Sequence, residues 1–321
     1  MIIKWKNRNF YIIALFCMMF GLTGCSNTGE DGKNFHNEEK LAIVTTIYPM
    51  YDFTLNIAGD KAEIINLVPA GTEPHDFELS ASDMRLIEKA DIFIYNGAGM
   101  EHFVDKTLAA VSNKDLVIVE AAGELDLLVT DSHHDHGREA HDENDAEEKT
   151  DPHTWLSIEN AIAESEAIKE TLIKLDGKNA DYYEANFQVY KGKLEGLAAR
   201  YKEELSDMSH DTIVVAHEAF GYLCNEYGLK QEAVEGLTAD SEPDAARMKE
   251  IIEFCKENNI KIIFFEELVS PKVAETIANE IGAETMLLNP VEGLTAEQME
   301  EGLDYIGIME QNLEALKKAL Q

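Results

Sequence analysis

The sequence DYYEANFQVYKGKLEGLAARYKEEL, residues 181–205, contains one long apolar stripe and decides how the chain is organised. Its aromatic and leucine side chains recur at spacings of three or four residues, the period of one helix face. They are Tyr183, Phe187, Tyr190, Leu194, Leu197, Tyr201 and Leu205. At 1.5 Å per residue such a helix is about 38 Å long. It is either a long surface helix of one domain or a rigid connection between two lobes, and the flanking sequence favours the connection.

Both flanks of this helix alternate short apolar runs with helical segments. The runs have the length and β-branched content of strands. They occupy 41–44, 62–68, 91–95 and 115–119 before the helix, and 212–215, 232–234, 261–265 and 284–288 after it. Helices are predicted at 51–58, 82–89, 101–111, 218–227, 245–258, 272–281 and 296–320. Because such alternation produces parallel sheets covered on both faces, we predict an α/β protein with lobes at 41–180 and 208–321, joined by one long rigid helix at 181–207.

The first 25 residues have the features of a secretory signal peptide. Basic residues precede an apolar run over 10–20, and no acidic residue is present. The run is shorter than the roughly 20 residues that cross a bilayer. The ending Leu22-Thr23-Gly24-Cys25 resembles the lipobox of bacterial lipoproteins. We predict a signal peptide over 1–24, a lipid anchor on Cys25 that holds the protein to the outside of the cell membrane, and a polar tether over 25–40. The alternative is a plain signal peptide with an incidental cysteine.

The composition is acidic, with 27 Lys and Arg against 62 Asp and Glu and a formal net charge of −35. Nucleic-acid phosphates would be repelled, so we expect no nucleic-acid partner. An apolar content of 45% is ordinary for a globular chain, which we expect to be a monomer. The four cysteines form no C-x-x-C pair, and Cys224 and Cys255 are predicted to be free thiols rather than a disulfide.

Four of the ten histidines fall in an acidic stretch, residues 131–151, that has nine Asp and Glu and no apolar core residue. They are His133, His134, His136 and His141. Such a segment cannot fold on its own, and histidine-rich tracts commonly bind metals. We interpret it as an auxiliary metal-binding loop; the alternative is a merely solvated acidic loop.

Three other histidines lie in structured contexts. His75 and His217 follow predicted strands, and His153 follows the acidic stretch in Asp151-Pro152-His153. Ligands of open α/β sheets bind beyond the carboxyl ends of strands, so three such histidines from both halves indicate one shared metal site. The expected fourth ligand is Glu292, which follows the last strand, with Asp304 as second choice. Three imidazoles and one carboxylate suit zinc, whereas manganese prefers more carboxylate.

The enzyme motifs in the chain are incomplete. His217-Glu218 begins like the H-E-x-x-H of zinc peptidases, but Gly221 stands where the second histidine belongs. A dinucleotide fingerprint over 97–102 fails because His102 replaces its third glycine. We therefore expect no enzymatic activity. Two rival functions stay open: a lipid-anchored adhesin with a structural metal, and a metal-dependent hydrolase with Glu218 or Glu73 as its base.

Several stretches carry a resemblance to one family. They are Pro74-His75-Asp76-Phe77-Glu78-Leu79-Ser80-Ala81-Ser82-Asp83, Asp151-Pro152-His153-Thr154-Trp155-Leu156, His217-Glu218-Ala219-Phe220-Gly221-Tyr222-Leu223 and Phe264-Phe265-Glu266-Glu267-Leu268-Val269-Ser270-Pro271-Lys272. Together with the long helix they are distributed along the chain, and the resemblance extends from about residue 41 to the end. On these stretches the chain resembles the metal-binding receptors of bacterial ABC importers, in their zinc-specific branch.

The resemblance implies two Rossmann-like lobes joined by a rigid helix, with one Zn²⁺ in the cleft between them for delivery to a membrane permease. The family's three imidazole ligands fall on His75, His153 and His217. Manganese receptors of the same family carry Glu at the third position, so His217 implies zinc, with a manganese receptor as the alternative. The family's fourth ligand varies between Asp, Glu and water, which leaves Glu292 open. Asp76, Glu218, Glu266 and Glu267 are candidates for orienting the imidazoles.

Overall fold

The computed structural model of the chain describes residues 33–37, 39–130, 149–238 and 243–321. The fold described below is that of the compact unit Phe35–Gln321. The predicted signal peptide, Cys25, most of the tether and the loop histidines lie outside the described residues; the latter are His133, His134, His136 and His141. Within the described ranges, no helix has the length and apolar character needed to cross a membrane.

The first half contains a parallel four-stranded sheet with flanking helices. Its elements are β1 (Leu41–Thr45), α1 (Tyr48–Ala58), β2 (Ala62–Asn66), α2 (Ala81–Lys89), β3 (Ile92–Tyr95), α3 (Val104–Ala110) and β4 (Val117–Glu120). The strand order is β2-β1-β3-β4, and every neighbouring pair is parallel. Two short antiparallel strands, β5 (Val129–Thr130) and β6 (Lys149–Thr150), follow the sheet and flank the undescribed part of the acidic loop.

The second half repeats this plan. Its elements are β7 (Thr212–Val215), α6 (Gly221–Tyr227), β8 (Lys230–Ala233), α7 (Ala245–Glu257), β9 (Ile262–Phe265), α8 (Lys272–Ile281), β10 (Glu284–Leu287), α9 (Ala296–Glu300) and α10 (Tyr305–Leu320). The strand order β10-β9-β7-β8 is the order of the first sheet read from the other edge, and all pairs are again parallel. The predicted α/β class with two parallel sheets is confirmed.

Between the sheets lie two consecutive long helices, α4 (Ile158–Leu175) and α5 (Ala180–Leu205). All seven residues of the predicted apolar stripe on α5 are buried. This helix packs against α1 and α4 from the first half and against α10 from the second. One hydrophobic core therefore includes residues from Ile43 to Leu320, so both halves are fixed to the same helix. Where one lobe ends and the next begins remains a prediction.

Two parts of the helix prediction were wrong. The single helix expected at 296–320 is interrupted, because Gly302 has a φ of 74° and the Asp304 carboxylate caps a new helix by accepting from the Gly307 N–H at 2.7 Å. Helix α4 was not predicted, although Ser157 has the local signature of an N-cap and accepts from the Asn160 N–H at 3.1 Å. Other predicted element ends differ from the observed ones by at most three residues.

Candidate metal centre

The three predicted histidines and Glu292 meet at one place between the two sheets. His217 lies two residues beyond β7 and Glu292 five residues beyond β10, so the second half contributes both from strand ends. His75 comes from the long connection after β2, and His153 lies three residues beyond β6. One nitrogen of each imidazole and one oxygen of Glu292 lie within 4.8 Å of one another.

The distances inside this cluster are short and nearly equal. The Nε2 atom of His153 lies 3.3 Å from the Nε2 atoms of both His75 and His217. The Glu292 Oε1 atom lies 3.0, 3.5 and 3.4 Å from the Nε2 atoms of His153, His75 and His217. All four side chains are at most 4% exposed. Four electron-pair donors thus face one small, buried space.

Two of the imidazoles are oriented by buried carboxylates. His153 Nδ1 lies 2.8 Å from Asp151 Oδ1, and His217 Nδ1 lies 2.6 Å from Glu266 Oε1. A carboxylate that accepts from Nδ1–H leaves the Nε2 lone pair free and fixes the plane of the ring. Of the four candidate orienting carboxylates, Glu266 takes this role. Asp151 was not among them, although it stands two residues before a candidate ligand.

The cluster also changes the proton affinity of its members. Burial lowers the pKa of His217, but the neighbouring Glu266 and Glu292 carboxylates outweigh burial and raise that pKa well above its ordinary value. For His153, burial likewise lowers the pKa, and Asp151 and Glu292 raise it overall. Burial raises the pKa of Glu292, yet the three imidazoles bring it well below the ordinary value. The carboxylates therefore raise the affinity of these imidazoles for a proton, and a metal ion that binds here has to compete with that proton.

The other candidate residues have different surroundings. Asp304 caps α10 instead of joining the cluster. Both oxygens of Glu73 accept backbone N–H groups of the His75 segment, at 3.1 Å from His75 and 3.0 Å from Asp76, so Glu73 supports the loop. Glu267 accepts from the Asn289 side chain at 3.3 Å and from the Gln298 side chain. Cys224 and Cys255 are free buried thiols, as predicted.

Two parallel α/β halves on a shared long helix, with one buried three-histidine and one-carboxylate cluster between them, define a two-lobed metal-binding receptor. The family model described as "Zinc-uptake complex component A periplasmic" matches residues 43–319. The chain belongs to this family, which is called ZnuA.

Individual relatives agree with this assignment. The chain is 40% identical over 317 residues to the high-affinity zinc uptake system protein ZnuA of Bacillus subtilis, covering 99% of this chain and 98% of that protein. It is 41% identical over 312 residues to the zinc-binding lipoprotein AdcA of Streptococcus pneumoniae, covering 96% of this chain but only 60% of that longer protein. The crystal structure of the Zn(II)-bound ZnuA-like domain of that AdcA matches with a TM-score of 0.75 and 40% identity, over 88% of this chain and 99% of the domain.

Proposed function

We propose that this protein is an extracytoplasmic zinc receptor, which binds one Zn²⁺ through His75, His153, His217 and Glu292 and delivers it to an ABC permease. The observation that carries the proposal is the convergence of four buried donor atoms from both halves of the chain within 4.8 Å. Here zinc is the cargo, and family membership supports its delivery to a permease.

The spacing of the donor atoms supports zinc in particular. A zinc ion binds nitrogen and oxygen ligands at about 2.0–2.2 Å in a tetrahedron, so neighbouring ligand atoms are expected about 3.3–3.6 Å apart. The five distances among the Nε2 and Oε1 atoms given above run from 3.0 to 3.5 Å. Manganese binding would be favoured by a second carboxylate among the ligands. In this chain the third imidazole position is occupied by His217, so the ligand set contains only one carboxylate.

The arrangement favours binding over catalysis. A catalytic zinc keeps a coordination position open for water, while four protein ligands fill the tetrahedron. Of the two carboxylates considered as hydrolytic bases, Glu73 accepts from backbone N–H groups of the His75 segment, and Glu218 belongs to no complete enzyme motif. We therefore propose that the protein captures and releases zinc without catalysing a reaction.

Two further parts of the proposal concern the membrane and the loop. A lipid on Cys25 would keep the receptor beside its permease, and the acidic loop over 131–151 would raise the local zinc concentration. The continuous core around α5 supports a small closure of the lobes on zinc binding instead of a wide clamshell motion. The monomeric state and the lack of a nucleic-acid partner remain predictions.

The deciding experiment is a competition titration of zinc against manganese, with the loop intact and with residues 131–148 deleted. We expect one tightly bound zinc per chain that outcompetes manganese and survives loop deletion. Affinity should fall with decreasing pH because protons compete for the imidazoles. Equal affinity for manganese, or loss of the tight site with the loop, would contradict the proposal. Zinc that never exchanges to an added chelator would favour the adhesin alternative, in which the metal is only structural.

A further inference from the structure

The backbone immediately before Glu292 has an unusual conformation. Val291 has a φ of 59° and is fully buried. A β-branched residue in this left-handed region is a genuine outlier, because its Cβ approaches the backbone too closely. Such conformations persist only where the surroundings hold them, and they concentrate at functional sites. Here the bend at Val291 is the last backbone step before the carboxylate that faces the three imidazoles.

Within the second half, this bend is held by a pair of asparagines. The Val291 N–H donates to Asn289 Oδ1 at 2.7 Å. Asn289 is held in turn by Asn312 on α10: the Asn289 N–H donates to Asn312 Oδ1 at 2.9 Å, and Asn312 Nδ2 donates to the Asn289 carbonyl at 2.7 Å. These bonds fix the start of the segment that carries Glu292. The carbonyl of Pro290, which lies between Asn289 and Val291, takes no part in them and has another partner.

That partner comes from the first half of the chain. Trp155 donates from Nε1 to the Pro290 carbonyl at 2.8 Å, and its own carbonyl accepts from Tyr305 Oη at 2.5 Å. The indole is fully buried, and its ring centroid lies 5.5 Å from that of His153, two residues away. Trp155 therefore joins the segment carrying His153 to the segment carrying Glu292 across the boundary between the halves.

We propose that Trp155 is a positioning residue that keeps the Glu292 carboxylate facing the imidazoles. It does so by holding the carbonyl of Pro290, the residue directly before the strained bend at Val291. This inference rests on the proposed zinc site. The fourth ligand is then in place before zinc arrives, so little reorganisation is needed on binding. Without the indole N–H, the bend is held only by the bond from the Val291 N–H to Asn289, and the Glu292 carboxylate can shift away from the cluster.

The test is a double-mutant cycle on the full chain, with zinc affinity measured by competition with a chelator. Trp155→Phe keeps most of the ring and removes the donor. We expect it to weaken zinc binding by about 10–100-fold, the usual effect of losing a residue that supports a ligand. In a Glu292→Ala background the same substitution should change affinity by less than about threefold, because the group it positions is gone.

Tyr305→Phe removes the hydroxyl that holds the Trp155 carbonyl, and provides a second, milder variant should Trp155→Phe fold poorly. It should weaken zinc binding less than Trp155→Phe, again only when Glu292 is present. The matched control is Tyr201→Phe, which also removes a buried aromatic donor to a backbone carbonyl, that of Met309 at 2.6 Å. This control should leave zinc affinity unchanged.

Two results would overturn the inference while leaving the zinc site intact. One is an unchanged affinity in Trp155→Phe and Tyr305→Phe when Glu292→Ala itself weakens binding. The other is an equal loss on replacing Trp155 with and without Glu292, which indicates general damage to the fold. If neither Glu292→Ala nor His217→Ala weakens zinc binding, the proposed site itself is wrong, and the role of Trp155 fails with it.

Discussion

A buried carboxylate orients His153 in the first half and another orients His217 in the second, but the two carboxylates come from different parts of the chain. Asp151, which orients His153, lies two residues earlier on the same loop. Glu266, which orients His217, directly follows β9, 49 residues along the chain. The two sheets have equivalent strand orders, so the difference lies in the connections. The carboxylate that orients a histidine therefore comes from the same loop in one half and from a neighbouring strand in the other.

The largest expected effect comes from removing either histidine. His153→Ala and His217→Ala should each weaken zinc binding by more than about 100-fold, since losing a direct ligand costs more than losing its support. Competition titration measures both affinities, with the exposed His210→Ala as control. A large loss from only one of the two variants would mean that the ion belongs to one half and does not join them.

The next effect tests the two supports directly. Asp151→Asn and Glu266→Gln keep the shape of each side chain but remove its charge, and each should weaken zinc binding by about 10–100-fold. Asp211→Asn is the control, because Asp211 forms an exposed ion pair with Lys230 at 2.7 Å and such pairs contribute little. If only Glu266→Gln weakened binding, the local carboxylate of the first half would be dispensable.

The same contrast explains what could be predicted from the sequence. His217 and Glu292 follow strands, and the stripe on α5 follows a helical period, so local patterns indicated where these residues lie in the fold. The contact between Trp155 and the Pro290 carbonyl joins residues 135 positions apart, and no local pattern encodes it. Asp151 was overlooked although it stands beside a candidate ligand, because its role depends on the side chain turning back onto His153.

A smaller effect on zinc affinity is expected from a substitution at Gly221, a residue of the second half that lies against the Asp151 side chain. A Cβ added at Gly221 would lie 2.5 Å from Asp151 Oδ2, closer than atoms can approach, so Gly221→Ala must displace the carboxylate that orients His153. We expect zinc affinity to fall by about tenfold, the lower end for an indirect effect on a ligand. Unchanged affinity would show that Asp151 can shift without disturbing His153.

Gly192 provides the matched control for this substitution. It lies within α5, and a Cβ added there meets nothing within 4 Å. Gly192→Ala should therefore leave zinc binding unchanged and stabilise the protein by about 0.5–1 kcal/mol, because alanine favours the helix. Thermal unfolding measures the stability of both variants.

The smallest effect on zinc binding is expected from a substitution at Glu164, whose carboxyl group contacts Thr154 in the His153 segment. Thr154 Oγ1 lies 2.6 Å from Glu164 Oε1 and 3.0 Å from Asn96 Oδ1, and Asn96 Nδ2 donates to the Pro152 carbonyl at 2.9 Å. The single hydroxyl proton of Thr154 cannot serve two acceptors. A protonated Glu164 resolves this by donating to Thr154, which then donates to Asn96. The Glu292 segment, in contrast, rests on the uncharged pair Asn289 and Asn312.

A neutral Glu164 has a measurable consequence for stability. Burial, with a minor contribution from Glu101, raises the pKa of Glu164 to about 8 from the usual 4.5. The hydrogen bond that Thr154 would donate to the ionised carboxylate lowers the pKa but does not outweigh burial. The folded state then binds this proton more tightly than the unfolded state, so the stability it contributes is complete below pH 4.5 and is lost as the pH rises through 8. Glu164→Gln, which is neutral at every pH, should remove this decline and leave zinc affinity at pH 7 within about twofold.

Unfolding by denaturant between pH 5 and 9 measures this slope, with Glu170→Gln, at an exposed position on the same helix, as control. The control should retain the decline in the free energy of unfolding that wild type shows. An unchanged slope in Glu164→Gln would mean that Glu164 is ionised in the folded protein. The Thr154 hydroxyl would then have to turn away from Asn96, and the support of the His153 segment would end at Thr154. Loss of the decline in Glu164→Gln would mean that a neutral carboxylic acid supports the His153 segment. The Glu292 segment is supported by a pair of amides, so both supports would be uncharged at neutral pH.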